Sequence, residues 1–261
     1  MLRQSFIFLP GVGARTEQRI WRQAEDWNAF LGVQLLAGIS ARMKHAHDQT
    51  IAAAKNAVYD DNMAFLAQLV PASEQWRLYP DYRENAAFLD IETGPYGDVS
   101  MVGVFDGRET KTFVQGINLD RKALMEELGR HKLLVTFNGR SFDVPVLKRF
   151  FSLPFNIPHV DLKHVCARTG LTGGLKSIER QMGIKRPDSI RHVTGEDAAE
   201  LWRCWKATGD KDFFDMLRTY NEEDCVNLRT IADRIIPQLW QATRKSSEFG
   251  GRLPENVPKD I

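Results

Sequence analysis

Only three of the 261 residues are cysteine, and Cys166, Cys204 and Cys225 stand far apart with no C-x-x-C pair. An odd, scattered set excludes a disulfide framework and a cysteine-built zinc site, and it fits a reducing cytoplasm. No apolar run approaches the roughly 18 residues that a membrane-spanning helix needs, and the mean hydropathy is -0.35. Residues 1–14 carry some apolar character, but Pro10 and Gly11 break it and Arg15 and Glu17 follow at once, so export is not expected. Neither sign of charge dominates: 35 Lys and Arg against 34 Asp and Glu leave a net charge of +1, and no global basicity advertises nucleic acid. Glycine-rich nucleotide grips of the G-x-G-x-x-G or G-x-x-x-x-G-K-[ST] type are missing. His45 and His47 are two apart and diverge on a helix, so histidine metal chemistry is not indicated. There is no internal repeat and no low-complexity tract.

What is present is an ordinary globular composition, 43% hydrophobic and 26% charged, able to bury a core. The length suits one main domain and an appendage. Residues 1–75 read as helical; 76–245 hold the strands and the later helices; 246–261 form a polar tail. Short apolar segments at 86–92, 99–105 and 111–114 are separated by Gly94-Pro95-Tyr96-Gly97-Asp98 and by Asp106-Gly107, which predicts an antiparallel meander. A helix is expected over 120–130, a buried strand over 133–137, a helix from about Asp143, and a long helix over 213–240. The fold class is α/β, a mixed sheet flanked by helices.

Three acidic features interrupt this apolar pattern. Asp90 and Glu92 alternate with Ile91 on one strand, so both carboxylates project from the same face. Two readings stand for such a pair: an edge strand turned to water, or a site where a hard divalent cation such as Mg²⁺ or Mn²⁺ offsets the charge. Asp143 follows Asn138 and Phe142 at the junction of a strand and a helix, either as a helix cap or at the sheet edge where ligands bind. Tyr220 and Asp224 are four apart and share one helix face, whereas Glu222 and Glu223 fall off it. Asp161 precedes another helix and reads as a cap, and Cys225 as a small buried residue.

In this order, DIET, NGRSFD and YNEED resemble the three motifs of the DEDD exonucleases of the ribonuclease-H-like superfamily, in the variant ending Y-x-x-x-D. Trp76-Arg77-Leu78-Tyr79-Pro80 ahead of FLDIET, with the later GLKSIE around Lys176, is similar to the YprB-like predicted exonucleases. The resemblance spans roughly 76–240 and implies hydrolysis of nucleic-acid phosphodiesters with two divalent ions, Mg²⁺ or Mn²⁺, working from a single-stranded end of DNA or RNA and 3′ to 5′. It implies that Asp90 bridges the ions, that Glu92 and Asp224 complete their shells, and that Asp143 holds one largely through water. Tyr220 then positions the attacking water, because a phenol with a reference pKa near 10 is a poor base. Thr93 would touch the terminal nucleotide, Lys176 the substrate, and Asn138 either its own loop or the substrate.

Near the amino terminus, Leu9-Pro10-Gly11-Val12-Gly13 looks like the turn of a helix-hairpin-helix motif, whose glycine backbone approaches phosphate. Arg15, Arg19 and Arg22 would form a basic stripe on the helix that follows. A structural turn with solvated arginines is the equal alternative. From Lys163 to Arg191 seven Lys or Arg face two acids, a local balance of +5 that suits either a solvated face or a phosphate backbone. Two function classes therefore stand: a metal-dependent exonuclease, or a non-catalytic nucleic-acid-binding or scaffold protein on the same fold. The retained acid cluster favours catalysis, since like charges crowded together are expensive.

Overall fold

Turn chemistry places the first three strands. In the computed structural model, which describes residues 1–245, Gly97 adopts φ +75° and donates its N–H to the Gly94 carbonyl, folding β1 (Ala86–Thr93) back onto β2 (Val99–Phe105). Asp106 closes the second turn by accepting from the Arg108 and Glu109 N–H groups at 2.7 and 2.9 Å, which starts β3 (Thr110–Val114). Parallel pairing then adds β4 (Leu133–Thr136) and β5 (His159–Asp161) on the other side of β1, giving the order β3-β2-β1-β4-β5. The mixed sheet is as expected. Its fifth strand had no sequence signal as a strand, because three residues are too few to display alternation.

Five helices precede the sheet: α1 (Ala14–Trp21), α2 (Trp27–Gly32), α3 (Ala41–Tyr59), α4 (Met63–Leu69) and α5 (Tyr79–Tyr82). Later come α6 (Arg121–Leu128), α7 (Asp143–Phe151), α8 (Leu162–Ala167), α9 (Leu175–Gln181), α10 (Gly195–Thr208) and the long α11 (Lys211–Lys245). Alternation along β1 separates two cores. Ala87, Leu89 and Ile91 pack with Leu124 of α6 and Leu147 of α7, whereas Ala86 and Phe88 face Leu228, Ile231 and Ile235 of α11. That second core continues without a break into Phe6, Ile20, Trp27 and Leu66, so residues 1–75 share their apolar interior with the α11 side of the sheet. Among the described residues no helix is long and apolar enough to cross a membrane. The polar tail expected at 246–261 lies outside the described residues.

Candidate active site

Strand alternation carries Asp90 and Glu92 to the face that α11 covers, beyond Phe88. The helix can come close there because Gly103, paired with Asp90 across β1 and β2, has no side chain. A Cβ at that position would collide with Asn221 and lie 2.7 Å from the Cys225 sulfur. Asn221 uses this proximity to donate its amide N–H to Asp90 Oδ2 at 2.9 Å and to the Asp90 carbonyl at 3.3 Å. One turn further along α11, Asp224 completes the group: ligand oxygens of Asp90, Glu92 and Asp224 all lie within 4.8 Å of one another.

Asp143, the first residue of α7, joins these three electrostatically. It is not the helix cap: the N-cap position of α7 is Phe142, which makes no side-chain cap, and the Asp143 carboxylate instead accepts from its own N–H and from the Ile91 N–H between the two strand acids. Burial, followed by mutual repulsion, pushes Asp90 and Glu92 well above the usual carboxylate range. Burial also raises Asp143 to about 7, and it raises Asp224 to about 6 against the opposing pull of Arg186. Neither Asp90 nor Glu92 has an ion pair among the described residues. A cluster of carboxylate oxygens this close, buried and under-neutralised fits a hard divalent cation.

The compensating charge that does exist comes from α9 and the loop after it. Arg186, with only 4% of its side chain exposed, bridges Asp224 and Glu179, the latter at 2.6 Å. Glu179 is buried, and Asn227 donates to it at 3.0 Å. Lys176 Nζ sits 4.5 Å above the ring of Tyr220, and the Arg186 guanidinium is 5.4 Å from the same ring. Tyr220 is buried, and that burial together with Asp224, Glu92 and Asp90 moves its phenol well above the ordinary value, so the hydroxyl keeps its proton.

A family model described as the RNase H superfamily matches residues 87–236, which contain every acid just placed. The chain belongs to the ribonuclease H superfamily. No curated protein sequence matches it. Among solved structures, the family B DNA polymerase of the hyperthermophilic archaeon Pyrobaculum calidifontis aligns with a TM-score of 0.48 and 17% identity, over 62% of this chain and 26% of the polymerase. The aligned region thus spans about a quarter of that polymerase.

The remaining sequence candidates have their own local surroundings. Thr93 ends β1 just past an irregularity in the pairing with β2. Asn138 takes φ +65°, a conformation asparagine tolerates. Its N–H and that of Arg140 bind the Asp161 carboxylate at 2.7 and 3.1 Å, so Asp161 caps α8 and ties down the motif loop. The Asn138 side-chain oxygen accepts from Lys163 at 3.1 Å. Gly11 has φ +72°, and Gly13 begins α1, where Arg15, Arg19 and Arg22 are exposed. A three-residue 3-10 turn, Leu2–Gln4, stands ahead of this hairpin, and nothing from residues 9–22 joins the acid cluster.

Sequence reasoning missed Asn221, Glu179 and the role of Gly103, and it placed Arg186 only in a basic cluster. An isolated glycine inside an apolar strand was the available signal for a close backbone approach. Nothing local marks Arg186, which is 38 residues from Asp224.

Proposed function

We propose that this chain is a metal-dependent exonuclease that hydrolyses nucleic-acid phosphodiesters from a single-stranded end, 3′ to 5′. The observation that carries this reading is the convergence of Asp90, Glu92 and Asp224 within 4.8 Å beneath α11, inside an RNase H superfamily fold. Asp90, Glu92 and Asp224 would hold the Mg²⁺ or Mn²⁺ pair, with Asp143 at its margin. Such ions neutralise charge on the attacking and leaving oxygens of an in-line displacement.

The chain's own groups divide the remaining work. Asn221 fixes the Asp90 carboxylate, and Arg186 fixes that of Asp224. Tyr220, protonated, offers one hydroxyl to orient the water that attacks phosphorus. Thr93, Lys176 and Asn138 line the approach for the terminal nucleotide. In the amino-terminal unit, 1–75, the Gly11–Gly13 hairpin with Arg15, Arg19 and Arg22 supplies a second phosphate contact away from the chemistry. The order DIET, NGRSFD, YNEED supports membership of the DEDD group, and GLKSIE its YprB-like branch.

The Asp224–Arg186 ion pair is the feature that favours a metal-free binding protein instead. One guanidinium shared with Glu179 is too little positive charge to hold four neighbouring carboxylates ionised, however, and catalysis remains the better account. End-labelled single- and double-stranded DNA and RNA, incubated with Mg²⁺ or Mn²⁺, should be shortened stepwise by the wild type. EDTA or Asp90→Asn should stop it while the fold persists. Turnover that survives either treatment would overturn the proposal.

A further inference from the structure

The basic run between Lys163 and Arg191 does not form one patch. Lys163 turns to Asn138, and the Arg168 guanidinium lies 5.3 Å from the centroid of the Trp76 ring. The rest converge: Lys176, Arg180, Lys185, Arg186 and Arg191 line one open groove of about 910 Å³ between α9 and the segment leading to α10. Only two acids, Glu179 and Asp188, share its walls. Glu179 is spent on Arg186, and Asp188 pairs with Arg191 at 3.2 Å on the exposed rim. Arg180 and Lys185 are exposed and have no ion pair among the described residues.

Two groove residues also belong to the acidic centre. Lys176 Nζ and Arg186 Nη1 are buried with no hydrogen-bond partner, and both side chains lie over Tyr220. Unmatched buried donors of positive charge are costly, and an anionic oxygen would satisfy them. The groove therefore runs from an exposed cationic rim to unpaired cations at the edge of the carboxylate cluster. Glu92, Asp143 and Asp224 are each at most 8% exposed, so a backbone phosphate must enter a recess to reach them, which suits one strand better than an intact duplex.

Resting on the nuclease reading above, we propose that this groove carries the sugar–phosphate backbone of a single strand into the site. Arg180, Lys185 and Arg191 would contact phosphates along the groove, and Lys176 and Arg186 the phosphate nearest the acids. Recognition is through backbone charge, so the groove accepts any base sequence.

The test is fluorescence anisotropy of labelled 20-mers, oligo-dT and oligo-rU, with the full chain in EDTA over a series of salt concentrations. The triple variant Arg180→Ala/Lys185→Ala/Arg191→Ala should bind at least about 10-fold more weakly at low salt. Its log–log salt slope should be shallower by about 2, near 0.7 for each phosphate that is no longer neutralised. A matched variant on the opposite face of the sheet, Arg121→Ala/Lys122→Ala/Arg149→Ala, should leave slope and affinity unchanged. An unaltered slope in the groove variant, or an equal change in the matched one, overturns the proposal. The two readings fail separately. If the wild type shortens labelled strands while the groove variant keeps its slope, the groove falls and the nuclease stands. If the slope drops but no strand is ever shortened, the nuclease falls and the groove stands.

Discussion

Tyr220 and Asp224 lie one turn apart on α11, yet their removal should have different consequences. Tyr220→Phe keeps the buried ring and its two cations and loses only the hydroxyl, so metal affinity should hold while the single-turnover rate falls roughly 10²–10⁴-fold. Asp224→Ala removes a ligand oxygen from the 4.8 Å cluster and leaves Arg186 to Glu179 alone, so Mn²⁺ binding measured by calorimetry should itself weaken. Equal Mn²⁺ affinity in Asp224→Ala and wild type would move the ligand role to Glu222 or Glu223. The raised carboxylates also set a pH dependence. Asp143 at about 7 and Asp224 at about 6 bind protons more tightly in the folded chain than the reference 3.9. Stability of the metal-free protein therefore falls as pH rises from about 4 to about 7 on their account. His159, held neutral by burial with its pKa lowered to about 3, works in the opposite direction below its ordinary 6.5. The clean comparison is Asp143→Asn against wild type in EDTA: the variant's advantage in Tm should grow between pH 5 and pH 8, and a constant difference would disprove the shift. At this scale the acids were readable, because spacing two on a strand and four on a helix fixes which side chains share a face.

Gly103 shows what close packing between elements requires. Its missing side chain lets α11 lie against β2 where Asn221 reaches Asp90. Gly103→Ala should cost about 1–3 kcal/mol in urea denaturation by overpacking, and it should weaken Mn²⁺ binding because Asn221 and Asp224 move together. Unchanged stability and affinity would mean that the helix yields without penalty. Most elements were legible: the strand expected at 99–105 is β2, and the helices expected around 120–130, from Asp143 and over 213–240 are α6, α7 and α11. Turn residues and apolar alternation mark such segments locally. β5 was not legible, since its identity rests on pairing with β4 rather than on its own three residues.

Across the whole molecule, a buried ion pair ties α1, just after the amino-terminal hairpin, to the segment that leads into the sheet. Glu17, 1% exposed, accepts from the Phe6 and Ile7 N–H groups at 2.7 and 3.0 Å and from Arg77 at 2.7 Å. Arg77 in turn sits between Trp76 and Trp240, 5.3 and 5.6 Å from their ring centroids. Glu17→Ala leaves this guanidinium with Glu74 at 2.8 Å and Ser5 at 2.7 Å but strands the Phe6 and Ile7 N–H groups, and it should destabilise the chain by about 1–3 kcal/mol in urea. If Glu17→Ala has wild-type stability, the hairpin is not anchored by this pair.

The sequence by itself determined the α/β pattern, the acids Asp90, Glu92, Asp143 and Asp224, and the shared face of Tyr220 and Asp224, all set by backbone periodicity over a few residues. Only the tertiary structure decided that Arg186 and Glu179 meet Asp224, that five scattered cations line one groove, and that Glu17 meets Arg77 across 60 residues. Those partners are brought together by how helices cross a sheet. That packing depends on the summed burial of the whole core, which no short window of sequence contains.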